Sequence, residues 1–336
     1  MVAGRADHEP AETLVSGPAT GGAAPDSAAG AAGSGSTAGG PGFRAGHVAI
    51  VGRPNVGKST LVNALVGRKI TIVTAKPQTT RHRILGVVTR PEAQLVLVDT
   101  PGLHESTRRV MNQYMNRVAI SSSQDADVVL FVIEAMQFTE EDLWVWERVR
   151  GLKQPLFLVI NKVDRVFPKE KLLPFLEEMT ERIPASGIVP VSALESDNLE
   201  RLVSLVGSRL PLSPPLFAGD VLTDRDEPFH AAEVVREKLT LKLREELPYG
   251  INVQIERFAD EDNRIMINAV IWVERAGQKA IVIGQGGERL KEIGRMARIE
   301  LNDLWQRSVH LELWVKVKEN WADSEMALRQ FGYDSL

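Results

Sequence analysis

An α/β fold with a mostly parallel sheet, followed by a smaller α+β module, is what this sequence of 336 residues predicts. Three observations point there. From residue 43 to about 210, short and fully apolar runs alternate with helix-patterned segments, as in βα units whose sheet is covered on both faces. Pro211, Leu212, Ser213, Pro214 and Pro215 then read as a linker, because successive prolines continue neither a helix nor a central strand. Beyond them the order of elements changes, and no internal repeat is visible. The expected division is a disordered low-complexity tail at 1–42, a first domain at 43–216 and a second at 217–336.

Strands are expected at 48–51, 84–89, 95–98, 128–133, 156–160 and 187–191. Helices are expected from Thr60 onward and at 112–123, 140–150, 172–180 and 199–210. In the second module a helix at 228–246 precedes strands at 251–258 and 264–273. An apolar strand through Val282 and Ile283 then enters a glycine turn, followed by a helix after Gly287 and a strand at 309–317. The tail is rich in Ala, Gly, Ser and Pro and carries one basic and four acidic residues, without the basic start and apolar core of a signal peptide.

Hydrophobic content of 43% and charged content of 25% are those of a globular chain. There is no cysteine, which rules out disulfides and thiolate zinc sites. No apolar run approaches the roughly 20 residues of a membrane span, and peripheral membrane contact stays open. Residues 43–216 hold 22 Lys and Arg against 18 Asp and Glu, whereas 217–336 hold 17 against 22. Nucleic-acid binding by the second half therefore needs a local basic patch.

Gly52, Arg53, Pro54, Asn55, Val56, Gly57, Lys58 and Ser59 follow an apolar strand and open a helix at Thr60. Such a loop aims backbone N–H groups at phosphate oxygens, with Lys58 reaching the β and γ phosphates and Ser59 offering its hydroxyl to Mg²⁺. Asp99, Thr100, Pro101 and Gly102 end another strand, where Asp99 can hold a water ligand of Mg²⁺ and Gly102 lets an N–H meet the γ phosphate. Asn161, Lys162, Val163 and Asp164 end a third. There Asp164 would accept from the N1–H and N2 amine of guanine, while Asn161 meets the base edge and Lys162 lies along its face. A buried carboxylate facing adenine would lack partners, which disfavours ATP. Ser192 and Ala193 would supply a backbone N–H to the guanine carbonyl. Over residues 46–210 these segments resemble the guanine-nucleotide-binding domain of translation-factor GTPases, a P-loop fold.

Between the first two motifs lie Lys76, Pro77, Gln78, Thr79, Thr80, Arg81, His82 and Arg83, the expected switch segment. One threonine there should coordinate Mg²⁺ and sense the γ phosphate. Thr79 and Thr80 are both eligible, and Thr80 is favoured. Many GTPases place a water-orienting glutamine directly after D-x-x-G, where this chain has Leu103. Slow hydrolysis assisted by another element is expected, with Asn55 holding a monovalent cation such as K⁺. Lys58, Asn55, Thr80 and Gly102 are thus the candidate catalytic residues, and Ser59, Thr80 and Asp99 the candidate metal ligands.

In the second module Gly284, Gln285, Gly286 and Gly287 form a G-x-x-G turn, the device by which KH domains clamp a single strand. Lys279, Arg289, Lys291, Arg295 and Arg298 stand against two acids between 279 and 298, a local patch of +3. Two rivals differ in class. One is a metabolic P-loop enzyme such as a kinase, against which Asp164 speaks. The other is a GTPase scaffold whose KH-like module binds protein, against which the intact G-x-x-G speaks.

From residue 43 onward the chain resembles the bacterial Era family. The resemblance rests on 52–59, 77–83 and 99–103, on ELPY at 246–249, IERF at 255–258, the stretch 273–284, and HLELWVKVK at 310–318 followed by Trp321 and Ala322. It implies a monomeric cytoplasmic GTPase that uses GTP, GDP and Mg²⁺. It also implies a type II KH domain that binds 16S ribosomal RNA near its 3′ end, and a role in maturation of the 30S subunit. Such a protein can also touch the inner face of the cell membrane. Two departures stand out. The variable pair of the turn, Gln285 and Gly286, lacks the usual lysine, and the tail has no counterpart in compact members.

Overall fold

β1 (Arg44–Val51) lies between two other strands near the middle of a six-stranded sheet of order β2-β3-β1-β4-β5-β6. The other strands are β2 (Ile84–Thr89), β3 (Ala93–Asp99), β4 (Val128–Glu134), β5 (Leu156–Asn161) and β6 (Gly187–Pro190). All neighbours are parallel except β2, which runs antiparallel to β3. The computed structural model describes residues 42–336 except 104, 106–108, 244–249, 262 and 334–336. Residues 1–41 of the expected tail and the ELPY segment lie outside the described residues.

Successive side chains of a strand face opposite ways, so apolar runs place a core on each face. Ile50, Leu97 and Leu130 pack under α1 (Lys58–Val66) and α5 (Leu199–Gly207). Val51, Phe131 and Ile160 face the core shared with α2 (Val110–Asp125), α3 (Glu140–Val149) and α4 (Leu172–Arg182). α3 starts where a sequence reading would start it: the Thr139 hydroxyl accepts the Asp142 N–H at 3.3 Å, and the Asp142 carboxylate accepts the Thr139 N–H at 3.0 Å.

The second module comprises α6 (Glu227–Lys242), β7 (Ile251–Glu261), β8 (Arg264–Val273), α7 (Ala276–Ile283), α8 (Glu288–Trp305), β9 (Ser308–Val317) and α9 (Glu325–Gln330). Its sheet has the order β7-β8-β9, with β7 antiparallel and β9 parallel to β8. Alternate residues Ile265, Ile267, Ala269 and Ile271 of β8 pack beneath α6 and α8, the latter contributing Ile293, Ala297 and Leu301 at spacing four.

Two expectations are corrected. Val282 and Ile283 end a helix, not a strand. The Gln278 side chain accepts the N–H groups of Glu274 and Arg275 at 2.8 and 3.0 Å, which starts α7, and only Val282 of its eight residues is buried. A four-residue apolar run has no period that distinguishes the two. The connector after 211 is also not a free linker. Gln94, fully buried, accepts the N–H groups of Leu216 and Phe217 at 2.7 and 2.9 Å. Val87 donates to Leu222 O at 2.9 Å, and Leu85 to the Asp224 carboxylate at 2.9 Å.

The two modules pack as one unit. Met111, Tyr114, Met115 and Val118 of α2 share a core with Trp321, Ala322, Leu328 and Tyr333. Among the described residues no helix is long and apolar enough to cross a membrane.

Candidate nucleotide site, switch segment and G-x-x-G turn

Between the end of β1 and Lys58, residues 52–57 wrap the positive end of α1. Gly57 has φ +99°, and a Cβ there would lie 2.3 Å from Asn161 Nδ2, so only glycine fits. That closeness is the point of the arrangement. Asn161 Nδ2 donates to Val56 O at 2.9 Å and Lys162 Nζ to Asn55 O at 2.7 Å, which joins the phosphate loop to the base-reading segment. Val56 is fully buried, and Arg53 turns away to the Asp142 carboxylate at 3.0 Å. Lys58 Nζ, buried, donates to Gly52 O and Arg53 O at 3.0 and 2.9 Å. Burial pulls its pKa down to about 8, with Asp99 opposing.

Three side-chain oxygens converge beside it. Ser59 Oγ lies 2.7 Å from Thr80 Oγ1, which donates to Asp99 Oδ2 at 3.4 Å. Thr79 points elsewhere, its hydroxyl 2.7 Å from that of Thr74 and donating to Lys76 O. Asp99 is fully buried, which raises its pKa to about 6 against the pull of Lys58, and its Oδ1 has no hydrogen-bond partner. An all-oxygen set with one carboxylate suits Mg²⁺, a hard cation that keeps much of its water. Among the described residues no group of three or more His, Cys, Asp or Glu is placed to hold a metal ion.

A cavity of about 330 Å³ is lined by Pro54, Asn55, Lys58, Ser59, Thr60, Thr80, Gly102 and Lys162. The Asn55 amide donates to Ala75 O at 2.9 Å, tying the loop to the switch segment. Thr100 donates to Ile50 O at 2.7 Å, Pro101 is buried, and Leu103 is fully buried in the core with Val51 and Phe131. At the base-reading end Ser192 Oγ donates to Asp164 Oδ1 at 2.6 Å. The N–H groups of Ser192 and Ala193 are committed to Asp197 O at 3.2 Å and Asn161 Oδ1 at 3.0 Å. These are the N–H groups expected to meet the guanine carbonyl. Glu134, which carries no sequence signal, accepts from Lys162 at 2.6 Å and from Arg165 at 3.3 Å.

The switch segment is held from the second module. Arg236 of α6 donates to Thr79 O at 2.5 Å while its Nε and Nη2 grip the Glu233 carboxylate at 2.7 and 2.6 Å. Lys76 Nζ donates to Leu243 O, and Arg81, 1% exposed, donates to Ile251 O at 2.6 Å. The Val73 N–H donates to Glu237 at 2.9 Å.

At the far end, Gly284, Gly286 and Gly287 take φ of +74°, +58° and +81°, and α8 begins directly after them. A Cβ on Gly284 would fall 2.8 Å from the Arg289 Cβ. Gln285 is exposed, and Lys279 and Arg289 are half-buried, Arg289 donating back to Ile281 O. Lys291, Arg295 and Arg298 form an exposed stripe on α8 opposite Ile293 and Ala297.

Residues 47–162 match the family model described as 50S ribosome-binding GTPase, and 246–322 match the KH domain model. A GTPase Era from Stenotrophomonas maltophilia (strain R551-3) is 54% identical over 289 residues, 86% of this chain and 97% of that protein. A GTPase Era from Pseudomonas aeruginosa (strain LESB58) is 51% identical over 295 residues, 88% of this chain and 97% of that one. Among solved structures, a point variant of Aquifex aeolicus Era bound to GDP·AlF₄⁻ is 42% identical with a TM-score of 0.84, covering 87% of this chain and 100% of that one. An Era in complex with MgGDPNP and nucleotides 1506–1542 of 16S ribosomal RNA matches with the same figures.

Proposed function

The chain belongs to the bacterial Era family of GTPases, and on that premise we propose that it couples GTP hydrolysis to binding of 16S ribosomal RNA near its 3′ end, during maturation of the 30S subunit in the cytoplasm. The description of the first family model names the large subunit; the KH module and the 16S nucleotides of the matching Era complex favour the small one. The observation that carries the reading is the Gly284 to Gly287 turn, with positive φ at three glycines, opening α8 in the same chain as Asp164, the residue expected to read guanine. Lysines and arginines at 279, 289, 291, 295 and 298 would meet RNA phosphates.

At the nucleotide site, Lys58 would leave the carbonyls of 52 and 53 for the β and γ phosphates, and its buried ammonium makes that bond strong. Ser59, Thr80 and Asp99 would hold Mg²⁺, and Asp164, kept in place by Ser192, would read guanine. Bound there, Mg²⁺ offsets charge on the β and γ phosphates. The Gly102 N–H would meet the γ phosphate. Leu103 is apolar and buried, so the residue directly after D-x-x-G does not orient the attacking water, and slow hydrolysis is expected. Asn55, at the cleft with the Ala75 carbonyl, would hold K⁺ there; equal rates in potassium and sodium buffers would remove that role.

Crosslinking the protein to RNA in cells and sequencing the fragments tests the partner. Fragments gathered at the 3′ end of 16S RNA are expected, and fragments spread over 23S RNA would overturn it.

A further inference from the structure

We infer that Arg236, a residue of the KH module, is a positioning residue for the GTPase centre: by holding the Thr79 carbonyl it aims the Thr80 hydroxyl at Ser59 and Asp99. The inference rests on the reading of Thr80 as the switch threonine given above.

Arg236 is 3% exposed. Burying that charge is costly unless it is paired, and here Nε and Nη2 both reach the Glu233 carboxylate while Nη2 also reaches Thr79 O. The next residue's side chain is the one 2.7 Å from Ser59 Oγ. The peptide between 79 and 80 is planar and rigid, so fixing one end of it restricts the direction of the Thr80 side chain at the other. Thr79's own hydroxyl is tied back to Thr74 and Lys76, which closes the segment on itself and leaves its carbonyl facing α6.

Arg236 does not act alone in place, but its position is distinctive. Lys76 and Arg81 bracket its partner Thr79 in sequence, and both also cross to the second module, to Leu243 O and Ile251 O. Those two bonds run outward from side chains on either side of Thr79. The Arg236 bond instead holds a carbonyl of the peptide that carries Thr80, so its loss should be felt by the γ phosphate and not by the rest of the nucleotide. GDP has no γ phosphate and makes no use of Thr80, whereas GTP does.

The test uses the full chain. A Glu233→Gln/Arg236→Met double variant removes both charges together, so neither is left buried alone. Affinities for GDP and for a non-hydrolysable GTP analogue are measured at saturating Mg²⁺, alongside the melting temperature and kcat and KM for GTP. Loss of one charge-assisted hydrogen bond's ordering should weaken the analogue about tenfold and lower kcat, with GDP affinity unchanged. Thr80→Ala serves as the reference and should lose the same preference. If Thr80→Ala loses the preference for the analogue and the double variant keeps it, the role of Arg236 is overturned while the switch-threonine reading stands. If Thr80→Ala keeps it, the switch-threonine reading falls, and this inference with it. Equal weakening of both nucleotides by the double variant would mean general loosening and overturn the inference. Arg236→Gln, read by the same two affinities, decides the matter should the double variant not fold.

Discussion

The two walls of the nucleotide cleft are held in different ways. The phosphate-loop wall is bonded within its own module, through Asn161 to Val56 and Lys162 to Asn55, and a missing Cβ at Gly57 lets the pieces touch. The switch wall touches its own module through Asn55 and Ser59, and is held besides from α6 and β7 of the other module, through Arg236, Lys76 and Arg81. One wall is therefore as permanent as the sheet beneath it. The other is conditional on how the KH module sits, which is where a signal from bound RNA can enter.

The largest effect should come from breaking the permanent wall. Lys58→Ala should weaken GTP and GDP alike by about 10²- to 10⁴-fold, the worth of two charge-assisted hydrogen bonds, as titration calorimetry would show. Preserved GTP affinity would contradict the phosphate-loop reading. Asp164→Ala acts at the other end of the same wall and should cut the preference for GTP over ATP by about 10²- to 10³-fold, measured by competition between the two nucleotides.

A change outside both walls separates them from the RNA surface. Replacing Gly286 and Gly287 with Asp sets carboxylates where phosphates should pass, and at left-handed φ that side chains adopt poorly. RNA affinity should fall by at least about tenfold with hydrolysis in the absence of RNA unchanged, and the remaining affinity should weaken with added salt. The smallest effect tests the conditional wall by pH. Burial would raise the Glu233 carboxyl, but Arg236 overrides it and holds it below the usual carboxylate range. A carboxyl depressed by folding stabilises the folded state above its unfolded pKa of about 4.3 and loses that contribution as pH falls below it. His82, His230 and Arg81 also face Glu233, and burial pushes both histidines down, His82 to about 3. The melting temperature of the parent should drop more steeply below about pH 4.3 than that of Glu233→Gln/Arg236→Met.

What was legible in the sequence follows the reach of each interaction. The phosphate loop, Asp99 and Asp164 are visible because each sits at the end of an apolar strand, a local pattern. Thr80 could not be chosen over Thr79 from sequence, because two adjacent threonines differ only in which way the backbone turns them. Ser192 and Ala193 are placed by the strand before them, but what their N–H groups reach, Asp197 O and Asn161 Oδ1, is set by the fold. Arg236 gave no signal at all. Its partner carbonyl lies 157 residues away, and a carbonyl belongs to every residue alike.

Gln94 has a consequence for how the chain is made. Its amide collars the backbone at 216 and 217, after which Leu222 and Asp224 take the N–H groups along the outer side of β2. Until residue 224 has left the ribosome, that flank of the sheet has no covering, and a bare strand edge recruits other strands. The nascent first module is thus exposed to misassembly for the last stretch of its synthesis, and the arrival of the connector, well before the KH module is complete, closes that window.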